Sequence, residues 1–591
     1  MSKGEWPLSE RMPVDILPAS NGEFIPPPAT AAQHRIMALQ NEVAEDLRRR
    51  MGMSRRSFVR SAAAYGLGLW AITQVMPGAY GSYASAAPPG TGACDLEWPG
   101  AQLANLPGEF IFDIQSHHVD PDGMWRANNP GFHAVFTGIW EQSGPLGGIP
   151  GTYPDGSVRG WGKGGELDPI QNLSRFHYIK ELYLDSSTNM TVLSAVPSAP
   201  MQQPLPISEA AKTLDIVNQL AKSERAVMHA FVMPNRGSGG QATYGTKPVF
   251  QQEEFDAMES VVVQHRGKLR GWKVYTPWGD VPNSSGWFLD DEIGMAFLAH
   301  VRHLAVTRGG PRVVACHKGF ALPAFDQRAA SPRDIGPAAR QNPDLNLIVY
   351  HSGFDGETQT AYPGDNAVNS ADRGVNSLVK SLRESGWDAS RFVQRGMDHG
   401  NVPNVYAEIG ATMRSLESSP DELAHLLGKL IKHVGPQRVV WGTDSLWFGS
   451  PQPEIVAFRA FQMSARARQL YNLPHGLDGD RFDPRLNAKD AASYTHRHAF
   501  VKGWPTDGRS HPERSIRNGI FGRNAAVPYG VDADASRLKI ACDDVTKVRE
   551  AYLLRAGSER EVAPSASNTI LGPRNRREVM ALTWPNAPWA P

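Results

Sequence analysis

The stretch Leu269-Arg270-Gly271-Trp272-Lys273-Val274-Tyr275-Thr276 is followed by the helix-like Leu289–Arg308 and then by Arg312-Val313-Val314-Ala315-Cys316-His317-Lys318. Both short runs are mostly apolar and rich in β-branched or aromatic residues, so each reads as a buried strand. Two such strands joined through a helix make a crossover unit, and its strands must run parallel. Working outward, similar runs occur at Phe110–Val119, Thr191–Pro197, Ala226–Met233, Leu345–His351, Asn404–Gly410 and Arg438–Asp444, eight in all. Helix-like segments lie between them at Ser208–Glu224, Glu253–Lys268 and Pro420–Val434. The last has Ser419 placed as N-cap, Pro420 at the first helical position and Gly435-Pro436 as a stop. Eight strand–helix units predict a closed (β/α)8 TIM barrel. The rival, an open doubly wound sheet, would place Gly-x-Gly-x-x-Gly after its first strand, and none is present.

Composition narrows the classes. The chain has 591 residues, with 60 Lys+Arg balancing 60 Asp+Glu. A nucleic-acid binder would show a basic excess. No run approaches the ~20 apolar residues of a membrane span, so a polytopic membrane protein is excluded. Three cysteines cannot staple a disulfide scaffold. The 57 Gly and 46 Pro predict long ordered loops between short elements. Gly144–Gly165 has no helical period and reads as a lid or binding loop. A helix is expected near Ile455–Tyr471, followed by a polar insertion at Leu473–Arg509. The expected division is 1–86, 109–533 for the barrel, and a C-terminal extension at 534–591. That tail is expected to wrap the barrel or an adjacent subunit, which makes a homo-oligomer one partner class.

Residues 1–53 carry no strand pattern and read as a disordered region, apart from a helix at Ala31–Arg50 with Ile36, Leu39, Val43 and Leu47 on one face. Ser54-Arg55-Arg56-Ser57-Phe58-Val59 comes next, then the apolar Ser61–Met76 and Ala84-Ser85-Ala86. A basic region, an apolar region and a small-x-small site, in that order, describe a signal peptide. The arginine pair resembles the twin-arginine export signal. That resemblance implies the twin-arginine export machinery as a partner, a mature amino terminus near Ala87, and a periplasmic or secreted protein. The rival readings are a basic loop before a buried helix and an uncleaved anchor. Cys316 is expected to be a buried free thiol, and spacing leaves a Cys94–Cys542 disulfide open.

In such a barrel the carboxyl ends of the strands face the active site. Those ends carry Asp113, Gln115 and His117 on the first strand, Lys273 on the fourth, His317 on the fifth, His351 on the sixth and Asp444 on the eighth. Residues 113, 115 and 117 share a strand face, whereas His118 points the other way unless the strand has ended. Ionisable groups at equivalent places on several strands are costly to bury. Neutral imidazoles with a carboxylate are the donor set of a zinc-type site.

Ala315-Cys316-His317-Lys318-Gly319, Tyr350-His351-Ser352-Gly353 and Trp441-Gly442-Thr443-Asp444 resemble motifs of the amidohydrolase superfamily. The likeness is to its amidohydrolase-related (amidohydrolase 2) branch, which also contains decarboxylases. Ile520–Ala526 looks like the closing helix of that family, and the resemblance spans about 109–533. It implies His117 and His317 as ligands of one divalent metal ion, zinc in the first instance. Asp444 is implied to touch the metal and shuttle a proton, and His351 to polarise the substrate or activate water. The family motif on the first strand is Asp-x-His-x-His, but here Gln115 stands at the first ligand. An amide oxygen is neutral and a poorer zinc donor than imidazole. Lys273 sits where binuclear relatives carry a carboxylated lysine. A lysine pairing with a substrate carboxylate or with Asp113 is the simpler reading. His118 and His133 are candidates to line the pocket, and Glu408 a candidate buried partner of a cation. The implied activity is hydrolysis of an amide, ester or lactone bond in a small-molecule substrate. Non-oxidative decarboxylation and a non-catalytic ligand-binding barrel are the alternatives. If Arg55 and Arg56 direct export, replacing both by Lys should leave a longer, unprocessed form in the cytoplasm, read by immunoblot of cell fractions.

Overall fold

The structure, a computed structural model, describes residues 12–14, 16, 29–59, 62–84, 106–128, 170, 173–196, 198, 201–236, 251–278, 286–321, 326–354, 374–385, 404–481 and 511–558. The Gly144–Gly165 loop, His133, Cys94, most of the polar insertion and the last part of the tail lie outside them. Ten strands occur among the described residues: β1 Gly81–Tyr83, β2 Phe112–Ser116, β3 Met190–Leu193, β4 Ala226–Phe231, β5 Leu269–Tyr275, β6 Val313–His317, β7 Asn346–Tyr350, β8 Val405–Glu408, β9 Val439–Val440 and β10 Phe461–Met463. Strands β2 to β9 pair in sequential order, all parallel. Each falls inside one of the eight runs read from the sequence or within a residue of it.

The sheet closes on itself after β9. Ile114 N–H donates to the Trp441 carbonyl (3.1 Å), Asp444 N–H to that of Gln115 (2.9 Å), and Leu446 N–H to that of His117 (3.1 Å). A parallel bridge joins Ser116 and Ser445. The chain is therefore a (β/α)8 barrel. Its helices include Ile207–Ala221, Gln251–Gln264, Glu292–Thr307 and Pro420–His433. Asp291 caps the third of these by accepting from Gly294 N–H (2.8 Å).

Inside the barrel, Phe112, Val192, Val227, Val313, Ile348, Tyr406 and Val440 form one buried cluster with Ala525 and Tyr529. The last two come from the helical stretch Ile516–Ala526 and the turn after it, so this stretch plugs the amino-terminal mouth of the barrel. The Phe112 and Tyr529 rings meet edge to face at 5.4 Å. Gly522 is required there, because a Cβ would collide with the Phe110 carbonyl oxygen. The extension docks beside this plug through helices Ala533–Ala541 and Asp544–Ser558. The Arg225 guanidinium grips Asp543 at 2.7 Å, both side chains being buried.

In the amino-terminal segment the helix expected at Ala31–Arg50 forms with the same bounds. Helices α1 (Ala31–Arg50), α2 (Arg55–Phe58) and α3 (Ala62–Val75) fold onto the barrel. A capping box of Thr30 and Gln33 starts α1. Arg55 is buried, donating to Asn41 Oδ1 (2.5 Å) and Glu45 Oε1 (3.2 Å) on α1. Leu69 and Ile72 of α3 join the main core. Among the described residues no helix is long and apolar enough to cross a membrane. Strand β1 then pairs antiparallel with β10. That pairing explains a departure from the sequence reading: the single helix expected near Ile455–Tyr471 is two, Gln452–Ala460 and Ala465–Tyr471, with β10 between them. Export is an expectation of the sequence alone. The structure adds that a cut after Ala86 would strip β1 from its partner strand. Cys316 is buried and Cys542 exposed, both as free thiols.

One carboxylate anchors this segment. Asp421 accepts the N–H groups of Ala79 (3.0 Å), Tyr80 (2.6 Å) and Gly81 (2.9 Å), and the Tyr83 hydroxyl donates to the Glu417 carbonyl (2.6 Å). Asp421→Ala should weaken β1 docking by about 1–3 kcal/mol, the cost of stranding such donors. Hydrogen exchange should accelerate at 79–83 while the barrel strands keep their protection.

Candidate active site

The carboxyl ends of β2, β6, β7 and the turn after β9 bring Gln115, His117, His317, His351 and Asp444 together, each at most 4% exposed. Gln115 Nε2 donates to Asp444 Oδ1 (2.8 Å) and lies 3.4 Å from His351 Nε2. His117 Nε2 is 3.1 Å from the same Asp444 oxygen. The His317 and His351 rings stand edge to face, with centroids 4.7 Å apart. Tyr275 stacks on His317 at 3.9 Å and Trp447 on His117 at 5.4 Å.

Each of the three imidazoles meets a main-chain carbonyl. His117 Nδ1 is 2.7 Å from Ser194 O, His317 Nε2 is 2.5 Å from Phe320 O, and His351 Nδ1 is 2.9 Å from Gly410 O. A carbonyl only accepts, so these ring nitrogens carry hydrogen. The opposite nitrogen of each neutral ring is then an unprotonated donor for a cation, the usual tautomer control of metal-binding histidine. Burial is the main cause that holds His317 well below the ordinary histidine range and lowers His351 to about 4.

This tautomer has a consequence at the His117–Asp444 contact. With its hydrogen on Nδ1, His117 turns Nε2 towards a carboxylate oxygen 3.1 Å away, and the pair is joined by a positive charge, either a second proton on the ring or a cation. Beside them the buried Gln115 Oε1 has no hydrogen-bond partner among the described residues. Among those residues no three His, Cys, Asp or Glu side chains already close to metal spacing. The convergence is of His117 and Asp444, with the Gln115 amide as third member and His317 adjacent. An orphaned amide oxygen, an imidazole and a carboxylate fit a divalent cation.

The remaining expected residues separate. Asp113 is a strut: its carboxylate accepts the N–H groups of Gln115 (3.1 Å) and Thr443 (3.1 Å) and the Thr443 hydroxyl. Burial raises it to about 7. Lys273 is buried with Nζ 3.5 Å from the Tyr350 ring centroid, a cation–π contact. His118 does not join the cluster. Two residues past the end of β2, its Nε2 lies 2.9 Å from Thr213 Oγ1 on the helix outside the barrel. Glu408 partners main-chain N–H groups, not a cation: it accepts from His351 (2.8 Å) and from Gly410. Burial raises it to about 8. Sequence reasoning missed the carbonyls of Ser194, Phe320 and Gly410, which carry no residue-type signal. It also missed Thr443 and Trp447 as supports, although Thr443 lies within a motif already singled out.

No family model and no curated protein matches this chain. Among solved structures it is similar to 5-carboxyvanillate decarboxylase from Sphingomonas paucimobilis, at 13% identity and a TM-score of 0.33, over 72% of this chain and 99% of that one. It is also similar to an amidohydrolase 2 protein from Bifidobacterium longum subsp. infantis, at 13% identity and a TM-score of 0.28, over 72% and 100%. A third is a dihydroxybenzoic acid decarboxylase from a Polaromonas species with bound manganese, at 14% identity and a TM-score of 0.32, over 62% and 97%. At such scores the likeness carries no argument about the site, which stands on its own geometry.

The buried neutral histidines set an acid limit on stability. His118 has its folded pKa lowered to about 4, chiefly by burial, against an unperturbed value near 6.5. The unfolded chain takes up the proton first, so this contribution is complete above about pH 6.5 and is lost as pH falls towards 4. The thermal midpoint should drop across that window. His118→Gln, which keeps a polar contact to Thr213 without the titration, should flatten part of the drop, worth about 2–3 kcal/mol at the acid end.

Proposed function

We propose that this protein is an amidohydrolase-type enzyme that uses a divalent metal ion to hydrolyse an amide, ester or lactone bond. The observation that carries the reading is the set of three buried imidazoles, each with one N–H on a main-chain carbonyl, gathered around Asp444 and an orphaned amide oxygen. His117, Asp444, Gln115 and His317 would hold the ion. Once bound, it supplies Lewis acidity, which polarises a carbonyl and makes water nucleophilic near neutral pH.

The chain's own groups supply the proton handling. Asp444 is held by the Gln115 amide and faces His117, so its carboxylate can take a proton from water and hand it to the leaving group. The family resemblance implies two roles for His351, polarising the substrate by donating a hydrogen bond or activating water. The geometry supports the second. With Nδ1–H on the Gly410 carbonyl and burial keeping the ring neutral, Nε2 is an acceptor, suited to drawing a proton from water. Trp447, Tyr275 and Phe320 wall the imidazoles with aromatic surface that excludes bulk water and strengthens every charge interaction inside.

Decarboxylation of a carboxylate substrate is the second reading, favoured by the buried Lys273 cation. Carbon dioxide release against hydrolysis product, in a screen of esters, lactones, amides and aromatic carboxylates, separates the two. Metal analysis of protein purified without chelators tests both against a non-catalytic barrel, which would hold no stoichiometric metal.

Two substitutions follow. Gln115→His should tighten zinc in competition with a chelator, because imidazole replaces a neutral amide; no gain would mean that residue 115 does not face the ion. Asp444→Asn keeps a carbonyl oxygen but cannot accept the proton, so turnover should fall by about 10²–10⁴-fold while much of the metal stays. Near-parental turnover would sink the assignment.

A further inference from the structure

Immediately after β7 the backbone turns through two consecutive left-handed residues, His351 with φ 58° and Ser352 with φ 53°. Neither is glycine, and such a conformation persists only where surrounding contacts impose it. The contacts come from one segment, the end of β8 and the turn after it. Glu408 Oε2 accepts the His351 N–H at 2.8 Å, and Oε1 accepts the Gly410 N–H. The Glu408 carbonyl accepts the Ser352 hydroxyl at 2.7 Å. The Gly410 carbonyl takes His351 Nδ1–H at 2.9 Å, and the Thr412 hydroxyl donates to the His351 carbonyl at 2.9 Å.

The surroundings are shaped around this carboxylate. A Cβ at Gly410 or at Gly442 would collide with Glu408 Oε1. Gly442 belongs to the Trp441-Gly442-Thr443-Asp444 stretch, so the glycine two residues before Asp444 makes room for Glu408. The side chain is completely buried. Two oxygens each meeting a main-chain N–H suit the ionised carboxylate, the form that prevails above about pH 8, whereas an amide would oppose one N–H with its own NH₂.

We propose that Glu408 is a positioning residue: its carboxylate clamps the left-handed turn so that His351 keeps its hydrogen on Nδ1 and presents Nε2 beside Gln115 and Asp444. The base role given to His351 rests on the proposed function; the clamp itself does not. Glu408 touches no reacting atom. It acts through the turn and through the Gly410 carbonyl, which it holds by binding the N–H of the same residue.

The test uses full-length protein labelled with ¹⁵N-histidine and stripped by a chelator, so neither metal nor substrate enters the readout. Long-range ¹H–¹⁵N correlation spectra report which ring nitrogen carries hydrogen, and His351→Gln identifies the His351 signals by their loss. The parent should show His351 protonated at Nδ1. Glu408→Gln, nearly isosteric, should shift His351 towards a mixture of tautomers while the His118 and His229 signals stay in place. Thr412→Val removes a second strut without changing size and should shift His351 in the same direction; it keeps the test alive if Glu408→Gln fails to fold. Parental His351 signals in the folded variants would overturn the clamp. If the substrate screen succeeds, Glu408→Gln should lower kcat by about 10- to 100-fold with KM within about twofold, the pattern of a group that acts only on the chemical step. Equal loss through KM would count against positioning. An inactive or metal-free parent with the expected tautomer change would sink the hydrolase reading and leave the clamp standing.

Discussion

The seam between β2 and the turn after β9 is where an eight-stranded sheet becomes a barrel, and it is also where the site lies. Strand β9 is only two residues long, so ordinary ladder pairing cannot close the sheet alone. Closure is shared with the residues beyond it, through the main-chain bonds of Trp441, Asp444 and Leu446 to β2 and through the Asp113 carboxylate on Thr443. Gln115, His117 and Asp444 sit on the two sides of this seam. Their mutual distances are therefore set by the bonds that close the barrel, which is how groups 329 residues apart in sequence meet at 2.8 Å.

Main-chain carbonyls govern the chemistry available to the three histidines. Each ring has one hydrogen taken by the backbone, and in His317 and His351 burial opposes a second proton. Those two rings then behave as neutral donors with a defined orientation. That arrangement suits cation binding and proton acceptance, and it makes oxyanion stabilisation by His351 the less favourable role. Strain marks the same places: His351, Ser352 and Asp444 all have left-handed backbone torsions. Such torsions cost roughly 1–3 kcal/mol each and accumulate where geometry serves function.

The ends of the chain brace this frame. The stretch Ile516–Ala526 and Tyr529 fill the amino-terminal mouth, so the barrel interior is a packed core beneath the site. The amino-terminal helices and β1 hold the other flank through Asp421 and through pairing with β10. Arg55 shows how one residue serves two readings. In the sequence it is half of an export-like pair; in the folded chain it is a buried cation satisfied by Glu45 and Asn41.

The sequence by itself determined the barrel, because eight short apolar runs alternating with amphipathic helices admit few other parallel arrangements. It also pointed to the strand ends where Gln115, His117, His317, His351 and Asp444 meet, since polar groups in such runs are costly to bury. Tertiary structure alone decided the rest. The Ser194, Phe320 and Gly410 carbonyls set the histidine tautomers, yet every residue has a carbonyl, so no letter announces them. Asp113 and Glu408 read as polar-site candidates, but only their partners show that they are struts for main-chain N–H groups. The packing of residues 31–83 onto the barrel was equally hidden. A basic turn before an apolar helix has the same local pattern whether it is a leader or a packed element, and the difference lies in contacts made more than 300 residues away.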